Sequence, residues 1–201
     1  MPTPSQLSLT QLIAQINRCQ LCHEQLPLAT KPIVQLHSHA KILIAGQAPG
    51  RKTHDIGRPF DDASGKRLRD WLGVTEGQFY NPQLFAILPM GFCYPGTYSA
   101  EQNKRGDKPP LKQCADHWRQ AVLAQLTQVE LTLLVGKYAI DWHLQQPTTV
   151  TESVQQWQQF WPDTLVLPHP SPRNNIWLKR HPEFALQVLP QLKTRVKDLL
   201  S

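Results

Sequence analysis

The chain has 201 residues, 40% of them hydrophobic, which is enough apolar material for one substantial core and at most a small appendage. Twenty-one Lys and Arg against fifteen Asp and Glu give a formal charge of +6 and a pI near 9.3, a balance that favours a polyanionic partner without identifying one. No run approaches the ~18 apolar residues of a membrane span, and Met1 to Leu9 lacks the charged-then-apolar order of an export signal, so one soluble, monomeric, cytoplasmic domain over residues 1–201 is expected.

Apolar side chains at Leu9, Leu12, Ile13 and Ile16 have helical spacing and predict a helix from about Leu7 to Ile16, ending at the pair Cys19 and Cys22. Cys22 to His39 reads as irregular, and Lys41 to Ala45 as the first strong strand. Arg51 to Ala63 reads as a loop, after which Ser64 is placed to cap a helix through Leu68, Trp71 and Leu72 that Gly73 stops. Phe85 to Leu88 predicts a second short strand. Phe92 to Lys112, rich in Pro, Gly, Lys and polar residues, reads as a long functional or flexible loop. A helix from about Gln113 to Leu126 follows, then the strand Leu131 to Val135, with Gly136 opening a helix at Lys137 to Leu144. Trp157, Phe160 and Trp161 have the spacing of a further helix, Thr164 to Leu167 that of a fourth strand, and Glu183 to Leu200 that of a closing helix. This alternation predicts the α/β class: a three-layer α/β/α sandwich around a central four-stranded, mostly parallel sheet.

Two loops would then sit at carboxyl ends of strands, the edge where ligands bind in open α/β sheets. They are Gly46-Gln47-Ala48-Pro49-Gly50 and His169-Pro170-Ser171-Pro172. An amide side chain on one turn facing a histidine on the other suits a small polar ring. Gly57-Arg58-Pro59-Phe60 adds an aromatic ring that either stacks on a planar base or pins the loop to the core. His169 is either a donor to an oxygen gaining negative charge or a structural turn residue. The run from Pro172 to Arg180 mixes basic, amide and aromatic groups, fitting either phosphate contacts and a duplex wedge or an amphipathic helix with a buried Trp.

The four cysteines are Cys19, Cys22, Cys93 and Cys114. A C-x-x-C pair lets two thiolates converge on one centre, and the other two could complete a four-thiolate set; spacing does not separate zinc from iron–sulfur. The alternative is that the four are small buried residues. His37 and His39 form another candidate metal pair, though their position before a core strand favours ordinary loop residues.

Taken in order along nearly the whole chain, these motifs resemble the uracil-DNA glycosylase superfamily, and most closely its iron–sulfur family, family four. Gly46 to Gly50 matches that family's Gly-Glu-Ala-Pro-Gly, with Gln47 in place of Glu. Gly57 to Phe60 matches its Gly-Arg-Pro-Phe, Leu131 to Gly136 its apolar strand ending in Gly, and His169-Pro170 its His-Pro motif. His-Pro-Ser-Pro is nearer the family one spelling. The cysteines match its cluster ligands in order.

The resemblance implies a DNA partner and excision of uracil or another deaminated base, flipped from the strand and released by hydrolysis of its N-glycosidic bond. It implies Phe60 stacking on the base, His169 bonding its departing carbonyl oxygen, and Gln47 with the Gly46, Ala48, Pro49 and Gly50 backbone lining the pocket and placing water. Ser171 would join the pocket, Arg173 would stand where family one carries its wedge, and a 4Fe–4S cluster would sit on Cys19, Cys22, Cys93 and Cys114, zinc being the alternative. Three departures bear on this. Ala48 stands where family one has a water-orienting Asp. Pro89 stands where family four has a base-reading Asn, and it has neither a side-chain donor nor an N–H. Asp61 and Asp62 replace small residues, so either positions water or accepts from an exocyclic amine, or else they cap the following helix. A binding or base-crosslinking relative that has lost or changed excision is the alternative function.

Overall fold

The structure is a computed structural model that describes residues 4–102, 104–146 and 148–201. Four apolar runs form one all-parallel sheet: β1 (Ile42–Ala45), β2 (Phe85–Ile87), β3 (Leu131–Val135) and β4 (Thr164–Leu167), in the order β2-β1-β3-β4. Ile42 pairs with both Phe85 and Leu131, and Leu133 with Leu165, so the carboxyl ends of all four strands emerge at one edge. The chain order reverses across β1, which opens a crevice at that edge.

Alternation along the strands divides the core into two layers, as a period of two requires. Ile42, Ile44, Phe85 and Ile87 face helices α3 (Ala63–Leu72), α6 (Lys137–Leu144), α7 (Val150–Gln155) and α9 (Leu189–Leu200). Leu43, Ala86 and Leu88 face α1 (Leu9–Asn17) and α5 (Lys112–Leu123). Ser8 and Gln11 form a capping box at the start of α1, and Leu12 and Ile16 are fully buried beneath it. Among the described residues no helix is long and apolar enough to cross a membrane.

Several local expectations are corrected. The Arg51 to Ala63 loop contains α2 (Arg51–Ile56), too short to show periodicity, which ends on Gly57 at φ 84°. Helix α3 starts earlier than Ser64 implied: Asp62 is its cap, accepting the Gly65 N–H at 2.8 Å, while Ser64 is buried in the first turn. A short α4 (Glu76–Phe79) follows a Thr75 capping box. The aromatic spacing at Trp157, Phe160 and Trp161 belongs to a single 3₁₀ turn, Trp157–Gln159, which Pro162 prevents from growing; Trp157 and Trp161 instead meet edge-on at 5.5 Å. A short helix, α8 (Asn175–Arg180), carries the basic run, and the closing helix opens with a wide π turn at Phe184–Val188.

Helix α5 carries a fully buried cation, Arg119. Its guanidinium donates to the carbonyls of Leu88 (3.0 Å) and Pro89 (3.1 Å), fixing the exit of β2, and to His143 Nε2 at 2.7 Å. Burial pulls the Arg119 pKa down to about 9, and burial together with the adjacent guanidinium pushes His143 down to about 3. His143 is therefore a neutral acceptor in the fold, but free to protonate near 6.5 when unfolded. Its contribution to stability is complete above that value and is lost as pH falls through 6.5 toward 3, at up to ~1.4 kcal/mol per pH unit. His143→Gln keeps an acceptor for Arg119 without titrating. Urea midpoints at pH 6.5 and 4.5 should show a loss about 2 kcal/mol smaller in this variant than in the wild type.

Candidate active site

The sheet's carboxyl edge opens into a cavity of about 700 Å³. Four elements bring the residues expected from sequence to it. The turn after β1 contributes Gly46, Gln47, Ala48, Pro49 and Gly50, the loop before α3 contributes Phe60 and Asp62, the exit of β2 contributes Pro89, and the turn after β4 contributes His169, Ser171 and Arg173. Nearly every site residue expected from sequence therefore lines one cavity. Asp61 does not. Its carboxylate accepts two bonds from Arg58, at 2.8 and 3.1 Å, and Arg58 also reaches Glu76 at 3.1 Å, an exposed arrangement that braces the loop.

His169 is held in one tautomer. The Ser171 main-chain N–H donates to Nδ1 at 3.2 Å, which requires a lone pair there and leaves the proton on Nε2. Burial lowers its pKa, with Arg173 adding to the effect and Asp62 and Asp107 opposing it. The ring is thus a neutral donor at pH 7. Its loop is clamped by Asn174 Nδ2 on the His169 carbonyl (2.7 Å) and by Arg67 on the Ser171 carbonyl (3.1 Å).

Phe60 sits at φ 54°, in the left-handed region that costs an L residue ~1–2 kcal/mol. The surroundings enforce it. Arg69 donates to the Phe60 carbonyl (3.3 Å), Tyr80 to the Pro59 carbonyl (3.0 Å), and the ring lies edge-on to Phe79. A Cβ at Gly65 would stand 1.7 Å from the Phe60 carbonyl oxygen, so only glycine lets α3 approach the loop this closely. The loop is pinned, as one reading of the sequence held, and the pinning puts the ring on the cavity wall, 3.4 Å from where a Gly46 Cβ would be.

Pro89 presents only apolar surface to the cavity, because its carbonyl is taken by Arg119. The next two amides are also occupied: Met90 N–H bonds the Gly46 carbonyl (2.9 Å) and Gly91 N–H the Gln47 carbonyl (3.0 Å). Gln47 Nε2 reaches Lys108 O at 3.3 Å, joining the first turn to the long loop.

That loop also contributes Arg105 and Asp107, and Lys52 on α2 completes a cationic rim with Arg173; sequence reasoning had assigned none of Lys52, Arg105 and Asp107. The only signal for Arg105 and Asp107 was charge on either side of Gly106 in a long loop, and Lys52 gave none. The exposed Arg173 guanidinium lies against Gly106 (φ +98°), close to where a Cβ there would stand. Trp177 donates to Thr151 at 2.8 Å and so anchors α8 to α7, leaving Ile176, 65% exposed, as the apolar group on that lip.

On the α1 and α5 side, Cys19, Cys22, Cys93 and Cys114 line a second, small cavity. Each sulfur faces an N–H donor: Trp118 Nε1 to Cys19 (3.4 Å), Gln113 Nε2 to Cys22 (3.2 Å), Phe92 N–H to Cys114 (3.4 Å) and Lys31 N–H to Cys93. Burial, with the other thiols adding to it, raises Cys93 to about 11 and Cys114 to about 12. Among the described residues no three His, Cys, Asp or Glu side chains converge closely enough to ligate one metal ion. His37 and His39 pack edge to face, with the His39 N–H on His37 Nδ1, as an ordinary loop.

The model of the uracil DNA glycosylase superfamily matches residues 34–193, from the segment before β1 into α9. The chain belongs to the uracil DNA glycosylase superfamily. The match spans the β1 turn, the Phe60 loop, the exit of β2 and the His169 turn, so every lining residue of the cavity except Ile33 lies within it. A solution NMR structure from Methanosarcina acetivorans, given there only provisional standing as a uracil DNA glycosylase, is similar over 84% of this chain and 96% of its own, at 16% identity and a TM-score of 0.47.

Proposed function

We propose that this superfamily member is a DNA glycosylase that binds a flipped-out uracil or another deaminated base in the 700 Å³ cavity and hydrolyses its N-glycosidic bond. The observation that carries the reading is the neutral His169, locked with its proton on Nε2 in a cavity that also holds an aromatic ring. As the bond breaks, negative charge moves onto the base, and a fixed donor aimed at it stabilises the transition state more than the substrate. Phe60 stacks on the base both before and during the step, so it serves capture. With Pro89 apolar and the Met90 and Gly91 amides occupied, base identity is read by Gln47, Asp62 and the loops around them. The same apolar wall favours the second reading, a relative that binds or crosslinks nucleic acid with changed or lost excision. A cleavage assay on oligonucleotides carrying uracil, hypoxanthine or xanthine, single- and double-stranded, separates the two: product with any of them supports excision, and none with all of them supports binding alone.

We further propose a family-four-like 4Fe–4S cluster on the four cysteines. The common cavity and an N–H donor at every sulfur fit thiolates on a metal centre, with zinc as the alternative to iron–sulfur. Such a centre would tie the segment after α1 to the start of α5.

Binding of DNA by the Lys52, Arg105 and Arg173 rim, with the exposed Lys179 and Arg180 beside it, should weaken steeply with added salt. Arg105→Ala should lower the slope of log affinity against log salt by about one and weaken all sequences alike. Fluorescence anisotropy over a salt series checks this, and a flat dependence would remove the electrostatic role.

A further inference from the structure

Hydrolysis needs a group to hold and deprotonate water, and the turn from Gly46 to Gly50 contains no ionisable side chain. The structure supplies one from elsewhere in the chain. Asp107 lines the same cavity, and one of its carboxylate oxygens, Oδ2, stands 3.3 Å from where a Gly50 Cβ would be.

Its placement is built. Thr97 and Asp107 pair as an antiparallel bridge within the long loop, closed by Tyr98 N–H on Gly106 O (3.0 Å) and Lys108 N–H on Gly96 O (2.7 Å). The Thr97 hydroxyl donates to Asp107 Oδ1 at 3.1 Å and is itself bonded by the buried Tyr94 hydroxyl. Gln47 holds the neighbouring Lys108 carbonyl, fixing this hairpin to the β1 turn. One carboxylate oxygen is thus anchored while the other faces the turn. The second carboxylate of the cavity, Asp62, is committed differently, with Oδ1 capping α3.

Resting on the glycosylase reading above, we propose that Asp107 is the carboxylate that orients and deprotonates the attacking water. The C1′–N bond breaks with its electron pair leaving on the base, whose oxygen takes the His169 hydrogen bond. Water oxygen bonds C1′, and the water proton passes to Asp107 Oδ2. That proton then leaves to solvent as the base anion is protonated, giving free base and an abasic site. The negative carboxylate also favours the cationic sugar of this transition state while it repels the phosphates of bound DNA.

Those two roles predict opposite changes in rate and affinity. In single-turnover assays on the best of the three damaged bases, Asp107→Asn should lower the excision rate by about 100-fold or more, the scale of losing a general base. Its affinity for the same DNA carrying an abasic analogue should stay equal or tighten. Formate should restore part of the rate to Asp107→Ala, since it returns a carboxylate to the vacated space. A wild-type rate in Asp107→Asn at unchanged melting temperature overturns the proposal and leaves the glycosylase reading standing. Absence of excision by the wild-type protein on all three bases overturns both.

Discussion

His169→Ala is expected to lower single-turnover excision by a hundred- to a thousand-fold, about 2.7–4 kcal/mol of transition-state stabilisation, the scale of removing one fixed donor from a developing anion. The size of the effect follows from preorganisation. Ser171 fixes the tautomer, Asn174 and Arg67 fix the loop, and the lowered pKa keeps the ring neutral, so nothing has to rearrange as charge develops. Affinity for abasic or undamaged DNA should barely change, because the bond to the base strengthens only as the base leaves. Phe60→Ala separates the two roles, since it should weaken capture of the flipped base with a smaller effect on the chemical step. Rapid-quench excision and anisotropy on the same oligonucleotides measure both. An excision rate equal to wild type in His169→Ala, at unchanged melting temperature, would reduce the histidine to a turn residue.

Loss of the metal centre should have the largest effect on the fold. Protein purified without oxygen should be brown and carry about four irons per chain, and Cys19→Ala should lose the colour, the iron and several kcal/mol of stability. Burial holds Cys93 and Cys114 protonated up to about 11 and about 12, so the proposed centre would have to displace their protons and would tie the segment after α1 to the start of α5. Removing Cys19 would leave the other three cysteines of the cavity with an incomplete ligand set. Stoichiometric zinc with no iron in metal analysis would overturn the iron–sulfur assignment, whereas iron retained in Cys19→Ala would remove that cysteine from the ligand set.

The strands Leu131–Val135 and Thr164–Leu167 lie where their largely apolar runs put them, because a strand buried on both faces leaves that signature locally. Gly73 ends α3 at φ +70°, a stop the residue type announces. The turns at Gly46 and His169 were legible for the same reason: each directly follows such a strand, and parallel order brings their ends to one edge. Ser64 misled because its preference for a cap is real, yet Asp62, two residues earlier, captures the Gly65 amide and moves the helix start. Asp61 and Asp62 are neighbours that propensity cannot distinguish, and only the position of Arg58 sends one outward while the other faces the cavity. Asp107 and Arg119 lay beyond the sequence altogether. Asp107 reaches the Gly50 turn through a hairpin whose register depends on Thr97 and Gln47, and Arg119 reads in sequence as one more helical cation although it is fully buried on the carbonyls of Leu88 and Pro89. Local pattern determined the sheet, its edge and the family's motifs, since periodicity and turn chemistry act within a few residues. Which charged side chains enter the cavity was decided by contacts between segments distant in the chain, because desolvation and hydrogen bonding act only between groups that the finished fold has brought together.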